Sequence, residues 1–148
     1  MTEDEIWSFV RNGHTGIFTT LRRDGVPIAM PMWYCCLGRD VYMQTRGRKL
    51  QRIRNEPRCS FLVETGDRWA ELVAVHLTGR AEHVAPDGDL QAAFAAEMDR
   101  KYRAYRGDGR DPEMPAQAAE YYAAQMQGLV RFVADGRILN WDNSKMMS

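Results

Sequence analysis

The run Asp40-Val41-Tyr42-Met43-Gln44-Thr45-Arg46-Gly47-Arg48-Lys49-Leu50-Gln51-Arg52-Ile53-Arg54-Asn55-Glu56-Pro57 reads as a strand that passes directly into a short basic helix. Strand formers fill its first third. Gly47 frees the backbone at the junction, and Leu50 and Ile53 then fall at helical spacing. Asn55-Glu56-Pro57 stops the helix, since the residue before a proline is pushed out of the helical region. Between Thr45 and Arg58 stand six basic residues and one acidic residue, in a chain whose totals balance at 20 and 20. The excess is therefore local. Two readings fit it. One is an anion site, because free N–H groups and the helix dipole favour negative charge at a helix N-terminus and Arg or Lys beside them suits a phosphate. The other is a solvated basic helix that covers a core edge.

Upstream of this run, Thr2-x-x-Glu5 is a capping box that opens a helix through Ile6, Trp7, Phe9 and Val10, closed by Asn12-Gly13. Gly16-Ile17-Phe18-Thr19-Thr20-Leu21 reads as a strand. Arg22-Arg23-Asp24-Gly25 reads as a hairpin turn, with Asp-Gly supplying positive φ angles. The returning strand, Val26 to Leu37, holds Pro27 and Pro31, which cannot donate to a ladder; it belongs at an edge, at a bulge, or where something other than a strand lies alongside.

Downstream, Cys59–Glu64 is a fourth strand and Trp69–Val84 a long fifth one. In the fifth, Val73, Val75, Leu77, Gly79 and Ala81 share one face and His76, Thr78, Arg80 and Glu82 the other, the pattern of a half-buried strand. Pro86 to Arg106 reads as a helix with a stripe through Leu90, Phe94, Met98, Lys101 or Tyr102, and Tyr105. Gly107 to Pro112 is a loop, and Ala116 to Gln127 a helix carrying Ala119, Tyr122, Ala123 and Met126. Gly128–Val133 is a strand, Asp135-Gly136 a second hairpin turn, and Arg137–Trp141 a last short strand.

These elements predict a mostly β fold with flanking helices, six or seven antiparallel strands curled so as to close their edges. Residues 1–148 are expected to form a single domain. The acidic N-terminus Met1-Thr2-Glu3-Asp4-Glu5 lacks the features of a signal peptide, and no apolar run reaches the roughly 20 residues of a membrane helix. The expected compartment is the cytoplasm. Cys35, Cys36 and Cys59 fit a reducing environment and make no metal-binding pair. Zero net charge argues against a general nucleic-acid binder.

The motifs of several enzyme classes are missing. The chain has no Gly-x-Ser-x-Gly, no Walker A loop and no Gly-x-Gly-x-x-Gly. Its histidines, His14, His76 and His83, lack metal-ligand spacing. No carboxylate pair stands out, so no catalytic residue is named. Pro31-Met32-Trp33-Tyr34 sets aromatic and sulfur side chains beside backbone amides, which suits either a flat heterocycle or a core strand with two prolines. Trp69 suits capping a ring or closing the barrel.

In order, Gly16–Leu21, Asp24-Gly25-Val26-Pro27, Pro31-Met32-Trp33-Tyr34, Thr45-x-x-x-Lys49, Asn55-Glu56-Pro57-Arg58, Gly79-Arg80-Ala81 and Trp141-Asp142 resemble the split β-barrel family of flavin and deazaflavin proteins. That family includes the pyridoxamine 5′-phosphate oxidase-like proteins and the actinobacterial oxidoreductases that use coenzyme F420. The resemblance implies a homodimer with two cofactor sites at the subunit interface and a small-molecule substrate. It implies that Thr45, Arg46, Gly47, Arg48 and Lys49 hold the cofactor phosphate. Met30, Pro31, Met32, Trp33 and Tyr34 would lie along the ring system, and Trp69 would reach the site of the partner. The chain departs from the true oxidases at its end, Asn140-Trp141-Asp142-Asn143-Ser144-Lys145-Met146-Met147-Ser148, where they resemble one another in an Arg-Leu-x-Pro ending. The Trp-Asp-x-x-Lys ending is similar to the deazaflavin branch. The expectation is hydride transfer from F420 to a small organic acceptor. The alternatives are an FMN-dependent reductase or oxidase, and a non-catalytic flavin-, deazaflavin- or haem-binding protein, with His14, His76 or His83 as haem ligands.

Overall fold

A computed structural model describes residues 1–85, 87–106, 114–124 and 127–148. Helix α1 (Glu3–Asn12) opens with the capping box: the Glu5 amide donates to Thr2 Oγ1 and the Thr2 amide to the Glu5 carboxylate. Strands β1 (Gly16–Leu21) and β2 (Pro27–Met32) form a hairpin. In this turn Gly25 carries a positive φ, 84°, and Asp24 does not; Asp24 accepts from the Val26 amide instead. Strands β3 (Cys35–Leu37) and β4 (Asp40–Arg46) follow, then helix α2 (Arg48–Asn55). Strand β5 (Arg58–Thr65) pairs with the 12-residue β6 (Val73–Val84). Helix α3 (Gly88–Tyr102), helix α4 (Ala116–Ala124), β7 (Gln127–Ala134) and β8 (Leu139–Asp142) complete the chain.

All strand pairs are antiparallel, and seven strands form one path, β2-β1-β5-β6-β7-β4-β3, with β8 paired to β6 beside it. The architecture is the expected split barrel, mostly β with flanking helices. Phe18, Phe61 and Leu77 stand side by side across β1, β5 and β6 and face the interior. Helix α1 delivers Ile6, Trp7 and Val10 to the same core, and α2 delivers Leu50 and Ile53. A second cluster, Cys35, Tyr42, Phe94 and Leu129, packs α3 against the other end of the sheet.

Four local expectations change. The strand read as Val26–Leu37 breaks at Trp33-Tyr34, where the chain leaves the edge strand β2 and crosses to β3. The strand read from Trp69 starts at Val73, because Trp69–Glu71 forms a 3-10 turn after Gly66 at φ 112°. Asp135-Gly136 is a turn with Gly136 at φ 70°, but not a hairpin: β8 pairs with the start of β6 and not with β7. Long β6 has room for both, with β7 along Gly79–Val84 and β8 along Val73–His76. The helix read as Pro86–Arg106 spans Gly88–Tyr102, with a 3-10 turn over Arg103–Tyr105. The loop at 107–112 and the stripe positions Tyr122, Ala123 and Met126 lie outside the described residues or side chains.

Candidate functional site

The two stretches singled out in the sequence meet at one corner of the barrel. Gly47 joins β4 to α2 with φ 63° and ψ −131°, a conformation that only glycine adopts without strain. It sits at the N-cap, where as a glycine it offers this helix end no side-chain hydrogen bond. The first turn holds no acidic residue. The opening amides of α2 therefore lack the side-chain acceptor that α1 draws from Thr2. Thr45 is buried at the end of β4, and Arg46 is partly exposed beside Gly47.

Lys49 turns back toward the hairpin. Its Nζ lies 3.5 Å from the sulfur of Met32, the last residue of β2. Burial pushes the Lys49 ammonium below its usual range, and the positive charges of Arg52 and Arg46 push the same way. A cation pressed by other cations in a half-buried place is stabilised by an anion.

Along β2, Met30 and Met32 pair with Phe18 and Gly16 and alternate with Pro31, which pairs with Ile17. Met32 is buried, whereas Met30 and Pro31 are exposed at the sheet edge. The prolines are tolerated there because an edge strand needs no donors on its open side. At the break that follows, the two aromatic residues part. Trp33 is 37% exposed and stacks on Tyr102 of α3, with centroids 4.3 Å apart and planes 4° from parallel. The guanidinium of Arg106 lies 5.7 Å from the centre of the indole. His14 meets Trp33, Tyr102 and Tyr105 edge-on.

Tyr34 instead points into the core. It is fully buried, donates to Val10 O at 2.5 Å, and packs edge-on against Phe61. Burial pushes its phenol well above the ordinary range. No part of Tyr34 reaches the surface of the break, so Met30, Pro31, Met32 and Trp33 supply the side chains there. Trp69 stands away from this corner, 65% exposed in its 3-10 turn, where its carbonyl accepts from Asn143 Nδ2 at 2.7 Å.

A cleft of about 1000 Å³ lies between α1 and the outward face of the sheet. Phe9, His14, Ile17, Leu62 and Val73 are among its walls, and the Glu5–Lys145 pair closes one side. Sequence reasoning missed this cleft, because its walls come from the first helix, three strands and the C-terminus. It adjoins the edge strand through Ile17, the register partner of Pro31. His14 lines it and also touches the Trp33 cluster. The outward face carries a cross-strand row of Pro31, Ile17, Leu62, His76 and Leu139. Leu139 and Trp141 are exposed on this side at 46% and 40%. Among the described residues no group of three metal-ligating side chains occurs, and no helix is long and apolar enough to cross a membrane.

A family model described as pyridoxamine 5′-phosphate oxidase matches residues 2–138. No curated protein matches the sequence. A conserved hypothetical protein of Mycobacterium tuberculosis is 28% identical, with a TM-score of 0.78, and the match covers 100% of this chain and 89% of that one. A FAD-binding protein of Mesorhizobium loti is 19% identical at a TM-score of 0.68, covering 95% and 94%. An F420 reductase is 21% identical at a TM-score of 0.60, covering 89% and 94%. The last two likenesses are of fold.

Proposed function

This chain belongs to the pyridoxamine 5′-phosphate oxidase family, a family of flavin-type cofactor proteins, and from that premise we propose that it is an oxidoreductase that uses coenzyme F420. The observation that carries this reading is the contact between Lys49 and Met32. It joins the uncapped, basic start of α2 to the edge strand β2, so that one corner offers an anion site and an apolar strand side by side. A cofactor with a phosphate and a flat ring system has both parts.

In this reading Arg46, Arg48, Lys49 and the first amides of α2 bind the phosphate, and Thr45 and Gly47 shape the turn that presents them. Met30, Pro31, Met32 and Trp33 border the ring. Arg52 and Arg54 extend the positive field along α2, which favours a cofactor with a further acidic tail over FMN. When bound, the deazaflavin supplies hydride transfer; the residues of the chain bind, orient and exclude water. The cleft beside Pro31 and Ile17 suits a small apolar acceptor. The exposed Leu139 and Trp141 on the outward side, together with exposed Trp69, suit burial against a second copy, so the working form is a homodimer. The reading places this dimer in the cytoplasm, as one domain.

Titration of the apo protein with F420, FMN and haem in parallel tests the proposal. F420 is expected to bind most tightly. Failure of both F420 and FMN to bind below about 100 μM, equivalent to about −5.5 kcal/mol, sinks the cofactor reading. Tight FMN binding with no affinity for F420 reassigns the cofactor.

A further inference from the structure

The break at Trp33-Tyr34 leaves backbone groups that no strand can pair, and helix α3 supplies their partners. The Tyr34 amide donates to the Tyr102 hydroxyl at 3.0 Å. That hydroxyl has one proton to donate, directed at His14 O at 2.7 Å, with Tyr34 O 3.1 Å away. Lys101 Nζ donates to Tyr34 O at 3.0 Å and sits 3.5 Å from the centre of the Tyr34 ring. The Tyr102 ring lies flat under Trp33. Two consecutive helix residues thus satisfy both backbone groups of Tyr34 and support the side chain of Trp33. Neither group needs this helix to complete the barrel, because β2 and β3 already pair with β1 and β4.

We infer that Tyr102 and Lys101 are positioning residues that set the Trp33-Tyr34 break and, through it, the strand face offered to the cofactor ring. The inference rests on the cofactor reading above. A buried amide without a partner is costly, so the chain at Tyr34 holds one conformation only while the Tyr102 hydroxyl is present. The stack fixes the indole because it meets a fully buried ring whose own hydroxyl is tied at two points, the Tyr34 amide and His14 O.

Tyr102→Phe keeps the stack and removes the hydroxyl. In the cofactor-free protein, hydrogen exchange at the Tyr34 amide should speed up by about tenfold while β1 and β5 amides hold. F420, or FMN if that is the ligand bound, should then bind about tenfold more weakly to Tyr102→Phe and to Lys101→Met. Val130→Ala, a core truncation in β7, should lower thermal stability with affinity unchanged, which separates positioning from general loosening. Unchanged affinity in Tyr102→Phe, in a protein whose wild type binds, overturns the inference and leaves the cofactor reading intact. Unchanged exchange at Tyr34 also overturns it. A wild type that binds neither cofactor overturns both.

Discussion

The indole of Trp33 lies on the phenol ring of Tyr102, centroids 4.3 Å apart and planes 4° from parallel. One ring belongs to the break after the edge strand and the other to the end of α3. The pair ties the candidate ring site to a helix that the sequence places far downstream. Stacked pairs of this kind contribute about 0.5–1.5 kcal/mol beyond the area they bury.

Removing the charge at the start of α2 should weaken the cofactor and spare the fold. Arg48 is exposed and Lys49 makes a weak contact to sulfur. Each charge-assisted phosphate contact contributes about 1.5–3 kcal/mol, so Arg48→Ala with Lys49→Ala should raise Kd by about 100-fold or more. Calorimetric titration reads this directly; an unchanged Kd means the phosphate sits elsewhere.

Gly47→Ala acts on the turn that presents those side chains. A φ of 63° with ψ −131° strains any residue with a Cβ by about 1–3 kcal/mol. Melting temperature should fall by roughly 2–4 °C per kcal/mol for a domain of this size. Cofactor affinity should fall with it, because the helix start must shift. A variant with wild-type melting and affinity would show that the turn is not held as described.

Gly79→Ala addresses the sheet. A Cβ at Gly79 would lie 2.1 Å from Val133 O, a backbone atom of β7 that cannot swing away. The overlap forces β6 and β7 apart where the barrel is continuous, at a cost of about 3 kcal/mol or more. Urea unfolding should show a matching drop in midpoint.

Lys101 leaves a signature in the pH dependence of stability. Burial pushes its ammonium from 10.5 to about 8, against the opposing pull of Cys36, Cys35 and Glu97; Arg100 adds to the fall. Between pH 8 and 10.5 the unfolded chain keeps a proton that the folded chain has lost, so stability rises with pH in that window. The gain stays below about 1 kcal/mol, since the side chain is part-solvated and water screens it. Burial raises the thiols of Cys35, Cys36 and Cys59 to about 12, 11 and 12 from 9.0. They act in reverse: above about pH 9 the unfolded chain loses protons that the folded one retains. Three thiols outweigh one lysine once they begin to titrate, so stability should climb slightly from pH 7 to about 8.5 and then fall. Lys101→Met should abolish the climb and keep the fall; urea midpoints at pH 7, 8, 9 and 10 distinguish the two.

Local chemistry made much of this protein legible. The Thr2–Glu5 capping box, the Gly25 turn, the alternation of β6 and the helical stripe through Phe94 and Tyr102 each depend on residues a few positions apart. Their period or dihedral preference acts before any tertiary contact forms. The basic start of α2 and its approach from β4 were legible for the same reason. Tertiary structure decided the rest. Whether Tyr34 faces a ligand or the core depends on Val10, Phe61 and Lys101, and its amide partner lies 68 positions away. The partner of β8 depends on which stretch of long β6 is free after β5 and β7 have paired. The prolines of β2 forbid a central strand, but only the sheet order determines which edge it takes. Short-range rules choose the elements; competition among distant surfaces for the same partners chooses which of them meet.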